Sequence, residues 1–486
     1  MAVMARAGVF EDLRDWMNEV ERIGEMVVIR GADPHLEIGS ITEYAYRATA
    51  GGPAILFEDV RGFPGGYRIL TNPLSTMRRL SLTLNVDAPQ NEMDFVQFWR
   101  KHSKSFEMRP VEQVSDGPLF QNVQEGADVD LLQFPTPLWH QEDGGPYLGT
   151  GSLTITRDAD SGWVNVGTYR AMVHDHNTLG LYVSRIKHGR RHMESWWARK
   201  EPCPVVLTFG QDPLLFLVSS IGFPAEVNEL EYAGAIRERP VQVIHGELTG
   251  LPIPAAAEIA IEGEIYPDDT RDEGPFGEWT GYYASDTRPE PVIRVKRLMY
   301  RDQPIILGVP PFRPPNTNTL SRTLIKAGLI WDNLDAAGVP DVRGVWADEA
   351  GGGNLMVVVS IKQRYPGHAR QAGLIASQCA AAITLARYVI VVDEDIDPSN
   401  RDDVLWAICT RSDPERSIEI LHRCFSSALD PITTGPGPYH HSRAVIDACK
   451  PFERLNSFPH VVSLDRAEYE DIRQKWGSYF EGWTKP

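Results

Sequence analysis

The segment Gly308-Val-Pro-Pro-Phe-Arg-Pro-Pro315 does most to constrain how this chain can fold. Proline fixes its φ and carries no N–H, so neither a helix nor a sheet ladder can run through such a stretch. The segment therefore separates two textures. Between about residues 115 and 310 the sequence is β-rich. Ser152-Leu-Thr-Ile-Thr156 and Trp163-Val-Asn-Val166 flank the turn-forming Asp158-Ala-Asp-Ser-Gly162, which is a hairpin pattern. Val241–Ile244, Glu258–Ile261 and Val292–Val295 read as further strands of a barrel or sandwich with few helices. Beyond the prolines helices and strands alternate: helix over 320–333, strand over 355–361, helix over 368–386, strand over 388–392 and helix over 402–410. Upstream, Phe10, Leu13, Trp16, Met17, Val20 and Ile23 keep a helical spacing that runs into the strand Met26-Val-Val-Ile29. Short strands follow at 54–57 and 68–70.

A chain of 486 residues exceeds one ordinary core. The expected division is an α/β domain over 1–114, a β domain over 115–315, an α/β domain over 316–455 and a tail with an amphipathic helix over 456–486. That helix packs on its own domain or on a partner subunit.

Hydrophobic content of 42% and charged content of 23% describe a globular chain, and a formal charge of −18 argues against a nucleic-acid partner. The five cysteines are scattered without a Cys-x-x-Cys pair, which suggests reduced thiols rather than disulfides or a zinc site. The first 28 residues lack an apolar signal core. The longer apolar runs, Leu214–Val218 and Tyr388–Val392, are strand-sized and too short for a membrane span. A soluble, cytoplasmic protein without a membrane or nucleic-acid partner is expected.

Chemistry concentrates at Glu273-Gly-Pro-Phe-Gly-Glu278. Two carboxylates five residues apart bracket a turn that can aim both at one cavity, where one stays charged against a cation and the other carries a transferable proton. Spacing alone equally allows two solvated acids. Asn165, His188 and Glu229 offer an amide oxygen, an imidazole and a carboxylate, a set suited to Mn²⁺ or Mg²⁺. Nothing in their spacing brings them together, and each alone reads as a satisfied polar residue.

Taken in chain order, several segments resemble the UbiD-type decarboxylases that use prenylated FMN. They are Asn165-Val-Gly-Thr-Tyr-Arg170, Ile186-Lys-His188, Asn228-Glu-Leu-Glu-Tyr-Ala-Gly234 and Ile253-Pro-Ala-Ala-Ala-Glu-Ile259, followed by Glu273–Glu278, Lys362-Gln-Arg-Tyr-Pro-Gly-His368 and Val391-Val-Asp-Glu-Asp395. The resemblance spans roughly residues 9 to 452. It implies a mixed α/β and β fold: an N-terminal α/β domain, a central flavin-reductase-like split β-barrel holding the cofactor, and a C-terminal α/β oligomerisation domain. It also implies a homodimer or homohexamer, with a flavin prenyltransferase supplying the cofactor.

By the same resemblance Arg170, Glu273 and Glu278 are the catalytic residues. Arg170 pairs with Glu273 and holds it ionised, and Glu278 relays the proton. Asn165, His188 and Glu229 hold a divalent metal (Mn²⁺ or Mg²⁺), accompanied by K⁺, against the cofactor phosphate. Arg170, Lys187, Ser219, Ser220 and Arg387 join them in binding the flavin. Arg387 stands where relatives commonly carry lysine, which keeps the charge and alters the geometry. Lys187 replaces a polar amide and is either a donor to the flavin ring or a surface lysine. Tyr283, Phe312 and the stretch Ser426–His441, with its run Thr434-Gly-Pro-Gly-Pro-Tyr-His-His441, are the expected pocket wall.

The implied reaction is reversible, non-oxidative decarboxylation of an aromatic or heteroaromatic acid through a covalent adduct with prenylated FMN, a carboxy-lyase activity. The alternatives are an acrylic-type or polyprenylated aromatic acid as substrate, an FMN-dependent redox protein, and an inactive structural paralogue.

Overall fold

In the computed structural model, residues 10–49, 51–87, 89, 91–433, 438–464 and 466–480 are described. The N-terminal helix Leu13–Arg22 is capped by the Asp12 side chain, which accepts from Asp15 N, and it buries Leu13, Trp16, Met17 and Val20. Strands Met26–Arg30 and Ala54–Glu58 pair in parallel, and Arg68–Thr71 adds antiparallel to the second. The fourth strand of this sheet, Ile305–Gly308, arrives from far along the chain and pairs in parallel with Arg68–Thr71. The sequence grouped this strand with the β-rich segment. It is instead the tie that fastens that segment to the N-terminal sheet just before the prolines.

The central region is a nine-stranded antiparallel sheet curled into an incompletely closed barrel. Its spine is the long hairpin Ile259–Glu273 with Arg288–Tyr300. The register shifts at Glu262/Gly263 and at Ile265/Thr270, and such irregularities let a strand this long bend around a core. The Leu153–Arg157 and Val164–Gly167 strands form the hairpin the turn residues predict. Leu179, Leu181, Val205, Leu207, Ile261, Ile293 and Val295 are all buried in one cluster.

Three helices interrupt this region where few were expected: His188–Ala198, Pro213–Ser220 and Glu229–Arg237. The strand-sized run Leu214–Val218 is helical. Every residue from Pro213 to Ser219 is buried, so no polar face marks a period. Its signal is at the start, where Asp212 caps the N–H groups of Leu214 and Leu215 and Pro213 occupies the first turn.

The C-terminal sheet has the order Val342–Ala347, Met356–Ile361, Tyr388–Asp393, His440–Ala448, Ile418–Phe425, with the central pairings parallel. The helix expected over 368–386 ends at Gln378. The helix Thr319–Ala336 crosses from the prolines to this sheet and docks on the N-terminal helix Glu92–Ser103, where the Arg100 guanidinium lies 4.2 Å from the Trp331 ring centre. The tail helix Arg466–Trp476 leaves Tyr469, Ile472 and Trp476 exposed in the single chain. Among the described residues no helix is long and apolar enough to cross a membrane.

Candidate active site

Glu273 is the last residue of the long barrel strand, and Glu278 follows in the loop that leads back to Arg288. Arg170 immediately precedes the strand Ala171–Asp175. The sheet brings them together in one buried cluster. Arg170 Nε donates to Glu273 Oε1 at 2.7 Å and Nη2 to Oε2 at 2.8 Å, a two-point clasp. The remaining nitrogen, Nη1, is hydrogen-bonded to Glu278 Oε1. Tyr147 Oη donates to Glu273 Oε1 at 2.8 Å. The guanidinium carbon stands 4.4 Å from the Tyr182 ring centre and 5.2 Å from that of Phe276, so aromatic faces fill the space above and beside the cation.

The loop carrying Glu278 is held against the segment 140–147. Gly144 N–H donates to Pro275 O at 2.8 Å, and Gly277 N–H donates to Asp143 Oδ1 at 3.2 Å. A Cβ on Gly144 would stand 2.0 Å from Gly274 O, so this close approach requires glycine. Tyr147 and Tyr182 are site residues that sequence reasoning missed. Neither lies in a recognisable motif, and only the sheet pairing brings them to the acids.

Burial dominates the electrostatics. It pushes the Glu278 carboxyl up to about 7, outweighing the attraction of Arg170, and the nearby Glu273 adds to the rise. For Arg170 burial acts against the cation, but Glu278 and Glu273 more than offset it and raise its pKa. Glu278 is therefore a carboxyl poised to hold or release a proton near neutrality, beside a guanidinium fixed in its charged form.

A second cluster forms around the strand Val164–Gly167. Val166 N–H donates to Glu229 Oε2 at 2.9 Å, which places the Glu229 carboxylate beside Asn165. The Trp163 ring meets the His188 ring edge-on at 4.9 Å, and Gly189 N–H donates to Tyr169 Oη at 3.3 Å. Asn165 Nδ2 is buried without a partner among the described residues. Burial raises Glu229 to about 7 and lowers His188, with Arg191 and Lys187 adding to the latter. A neutral imidazole, a buried amide with an unsatisfied nitrogen and a carboxylate with few donors fit a cation that the protein alone does not supply. Among the described residues no three His, Cys, Asp or Glu side chains form a metal-binding group, so Asn165 would have to complete the set.

The remaining expected binding residues are placed less directly. Ser219 and Ser220 end the helix Pro213–Ser220, and their hydroxyls donate to Phe216 O and Leu217 O at 2.8 and 2.7 Å. Either would have to release that bond to meet an anion. Arg387 is ion-paired with Asp430 and also donates to His441 Nδ1 at 3.4 Å. Burial, with Arg443 and Arg387, lowers His441 to about 4. Lys187 is exposed, yet desolvation and the Arg322 charge lower its pKa. Tyr283 accepts from Glu142 N at 3.2 Å. Phe312 is buried and packs edge-on against Tyr46, with ring centres 5.4 Å apart. Residues 434–437 of the expected pocket loop lie outside the described residues.

Comparison with known proteins places this chain in a family. Three family models match in order: the N-terminal, Rift-related and C-terminal domains of 3-octaprenyl-4-hydroxybenzoate carboxy-lyase, over residues 17–97, 111–314 and 320–448. The chain is 32% identical over 418 residues to pyrrole-2-carboxylic acid decarboxylase of Pseudomonas aeruginosa, covering 83% of each. It is 30% identical over 457 residues to phenolic acid decarboxylase of Streptomyces sp. strain D7, covering 91% of this chain and 92% of that one. Among solved structures, the UbiD-class enzyme HmfF of Pelotomaculum thermopropionicum with FMN superposes with a TM-score of 0.82 at 26% identity, over 94% of this chain and all of the other. An evolved dimeric form of that enzyme with prenylated FMN gives 0.79 at 25% identity, over 95% of this chain and all of the other. With all three domains matched in sequence and the whole architecture matched in space, the chain belongs to the UbiD family of carboxy-lyases.

Proposed function

We propose that this protein catalyses the reversible, non-oxidative decarboxylation of an aromatic or heteroaromatic carboxylic acid with prenylated FMN, using Glu278 as the proton donor. The observation that carries the reading is the buried cluster in which Arg170 clasps Glu273 at two points while its third nitrogen engages Glu278, a carboxyl raised to about 7.

Loss of CO₂ from an aromatic carbon leaves an electron pair that no side chain can stabilise, and prenylated FMN supplies the electron sink when bound. Asn165, His188 and Glu229 would hold a divalent ion, Mn²⁺ or Mg²⁺, against the cofactor phosphate, with K⁺ nearby. Lys187, the residue before His188, would join them in binding the flavin. Every other step belongs to the chain. Tyr147 and Arg170 fix Glu273. Arg170 presents charge to an incoming carboxylate. Glu278 carries the proton that replaces CO₂ and is reprotonated from solvent before the next turnover. In the reverse direction the ionised Glu278 takes the ring proton. A homo-oligomer in the cytoplasm, loaded by a flavin prenyltransferase, is the setting this reading implies.

The test is to co-express the chain with a flavin prenyltransferase, measure the mass of the released cofactor and assay CO₂ release from pyrrole-2-carboxylate and from phenolic acids. Prenylated FMN and turnover of at least one acid are expected. Folded protein that releases only plain FMN, with no CO₂ from any acid, would overturn the reading.

A further inference from the structure

The cluster at Glu278 faces an uncompensated group of cations. Trp279, the next residue, packs on the loop Gly351–Asn354 of the C-terminal region, where a Cβ on Gly352 would meet its ring at 2.7 Å. Arg322, on the helix Thr319–Ala336, lies with its guanidinium carbon 5.7 Å from the Trp279 ring centre, and Nη1 donates to Gly352 O at 3.2 Å. One turn further along, Lys326 Nζ donates to Asn354 Oδ1 at 2.6 Å. Both cations therefore bond to neutral oxygens of a single loop.

Among the described residues neither Arg322 nor Lys326 has a carboxylate within ion-pairing distance, and neither has Lys187. By contrast Arg170 and Arg387 are both ion-paired. Arg322 is close enough to Glu278 to feel its charge, and Lys326 is close enough to feel Arg322. The cations thus form a line that starts at the proton-donating acid and runs along one helix face, since residues four apart are neighbours on a helix. Desolvation costs them dearly: burial lowers Arg322 to about 10 and Lys326 to about 7. An anion placed between them would remove that cost.

We infer that Arg322 and Lys326 form an anion subsite for a second acidic substituent on the substrate, so that the preferred acid carries two anionic groups on its ring. This deepens the decarboxylase reading and rests on it. One carboxylate is lost at Arg170 and Glu278, and the other is retained on the helix face. The same chemistry could instead serve the cofactor phosphate. Lys187, which adjoins His188, feels the Arg322 charge, and Lys326 feels Lys187, so flavin retention in the variants is what separates the two sources.

Binding of two matched pairs by the cofactor-loaded protein tests the assignment: pyrrole-2-carboxylate against pyrrole-2,5-dicarboxylate, and benzoate against benzene-1,3-dicarboxylate. Calorimetry reads affinity and CO₂ release reads turnover. The diacid of at least one pair is expected to bind about tenfold or more tightly, the effect of one added charge-assisted hydrogen bond. That ratio should collapse in Lys326→Met and Arg322→Met and persist in Lys326→Arg. Equal affinity within both pairs overturns the inference, and this comparison needs no variant to fold. A preference unchanged in both methionine variants also overturns it. So do variants that shed flavin while keeping the ratio, because the cations then serve the phosphate. Turnover of the monoacids without diacid preference leaves the decarboxylase reading intact while removing the subsite. Lys326-dependent diacid binding without CO₂ release does the reverse.

Discussion

Tyr147 and Glu273 share a buried hydrogen bond of 2.8 Å, made to the carboxylate oxygen that also receives Arg170 Nε. That oxygen is thereby saturated, the carboxylate cannot rotate, and the Arg170 fork is left with one nitrogen for Glu278. Removing the phenol hydroxyl should loosen this arrangement without touching the reacting atoms. Tyr147→Phe is expected to lower stability by about 1.5–3 kcal/mol, the cost of one buried hydrogen bond to a charged group, and to lower kcat more than it raises KM. Urea unfolding and steady-state kinetics check the two parts.

The pH dependence follows from Glu278. Its carboxyl is raised to about 7, so the proton donor is present below that pH and lost above it. Decarboxylation is expected to fall as pH rises through about 7, whereas carboxylation at high CO₂, which needs the ionised form as base, is expected to gain over the same interval. Initial rates in both directions across pH 5.5–8.5, a window of about 1.5 units either side, check the opposed slopes.

Chelation and substitution at the second cluster should reveal what it holds. Glu229→Gln and Asn165→Ala are each expected to reduce bound divalent metal and flavin together, as is treatment with a chelator, because the ion would bridge protein and phosphate. Metal content by plasma emission and flavin content by absorbance are the measurements. Loss of flavin with full metal occupancy would separate the two.

A structural pair gives a control away from the site. Burial pushes the Asp395 carboxyl up, but hydrogen bonds from Arg411 and Lys450 outweigh it and lower the pKa to about 2. A depressed carboxylate stabilises the fold above its unfolded pKa, near 4, and the contribution is lost as pH falls through about 2. Asp395 is more than a third exposed, so solvent screening limits its worth to about 1 kcal/mol. Asp395→Asn is expected to cost that much at pH 7 and progressively less as pH falls towards and below about 2, read from denaturant midpoints.

Much of this was legible before the structure, and the failures have physical causes. The Asp158–Gly162 turn fixed a hairpin because its residues demand one, and Leu13, Trp16 and Val20 marked a helix by spacing alone. Leu214–Val218 failed because a fully buried helix has no polar face to set its period, although Asp212-Pro213 announced its start. The strand Ile305–Gly308 failed because pairing across more than two hundred residues leaves no local trace. At the site, Arg170, Glu273 and Glu278 were found through motif resemblance, and the structure brings all three into contact. Tyr147 had no motif. Arg322 and Lys326 were not singled out in the sequence, since they belong to no motif, and only the packing of Trp279 against Gly352 shows which way that helix face looks.

The most direct measurement is the fate of the proton. Cofactor-loaded protein is given an acid it decarboxylates in D₂O, and the product is analysed for deuterium at the carbon that lost CO₂, for the wild type and for Glu278→Gln. One deuterium at that carbon in the wild type, with product formation slowed by about 10²-fold or more in Glu278→Gln, is the expected result. A variant that forms the same deuterated product at the wild-type rate would contradict the assignment of Glu278 as the donor.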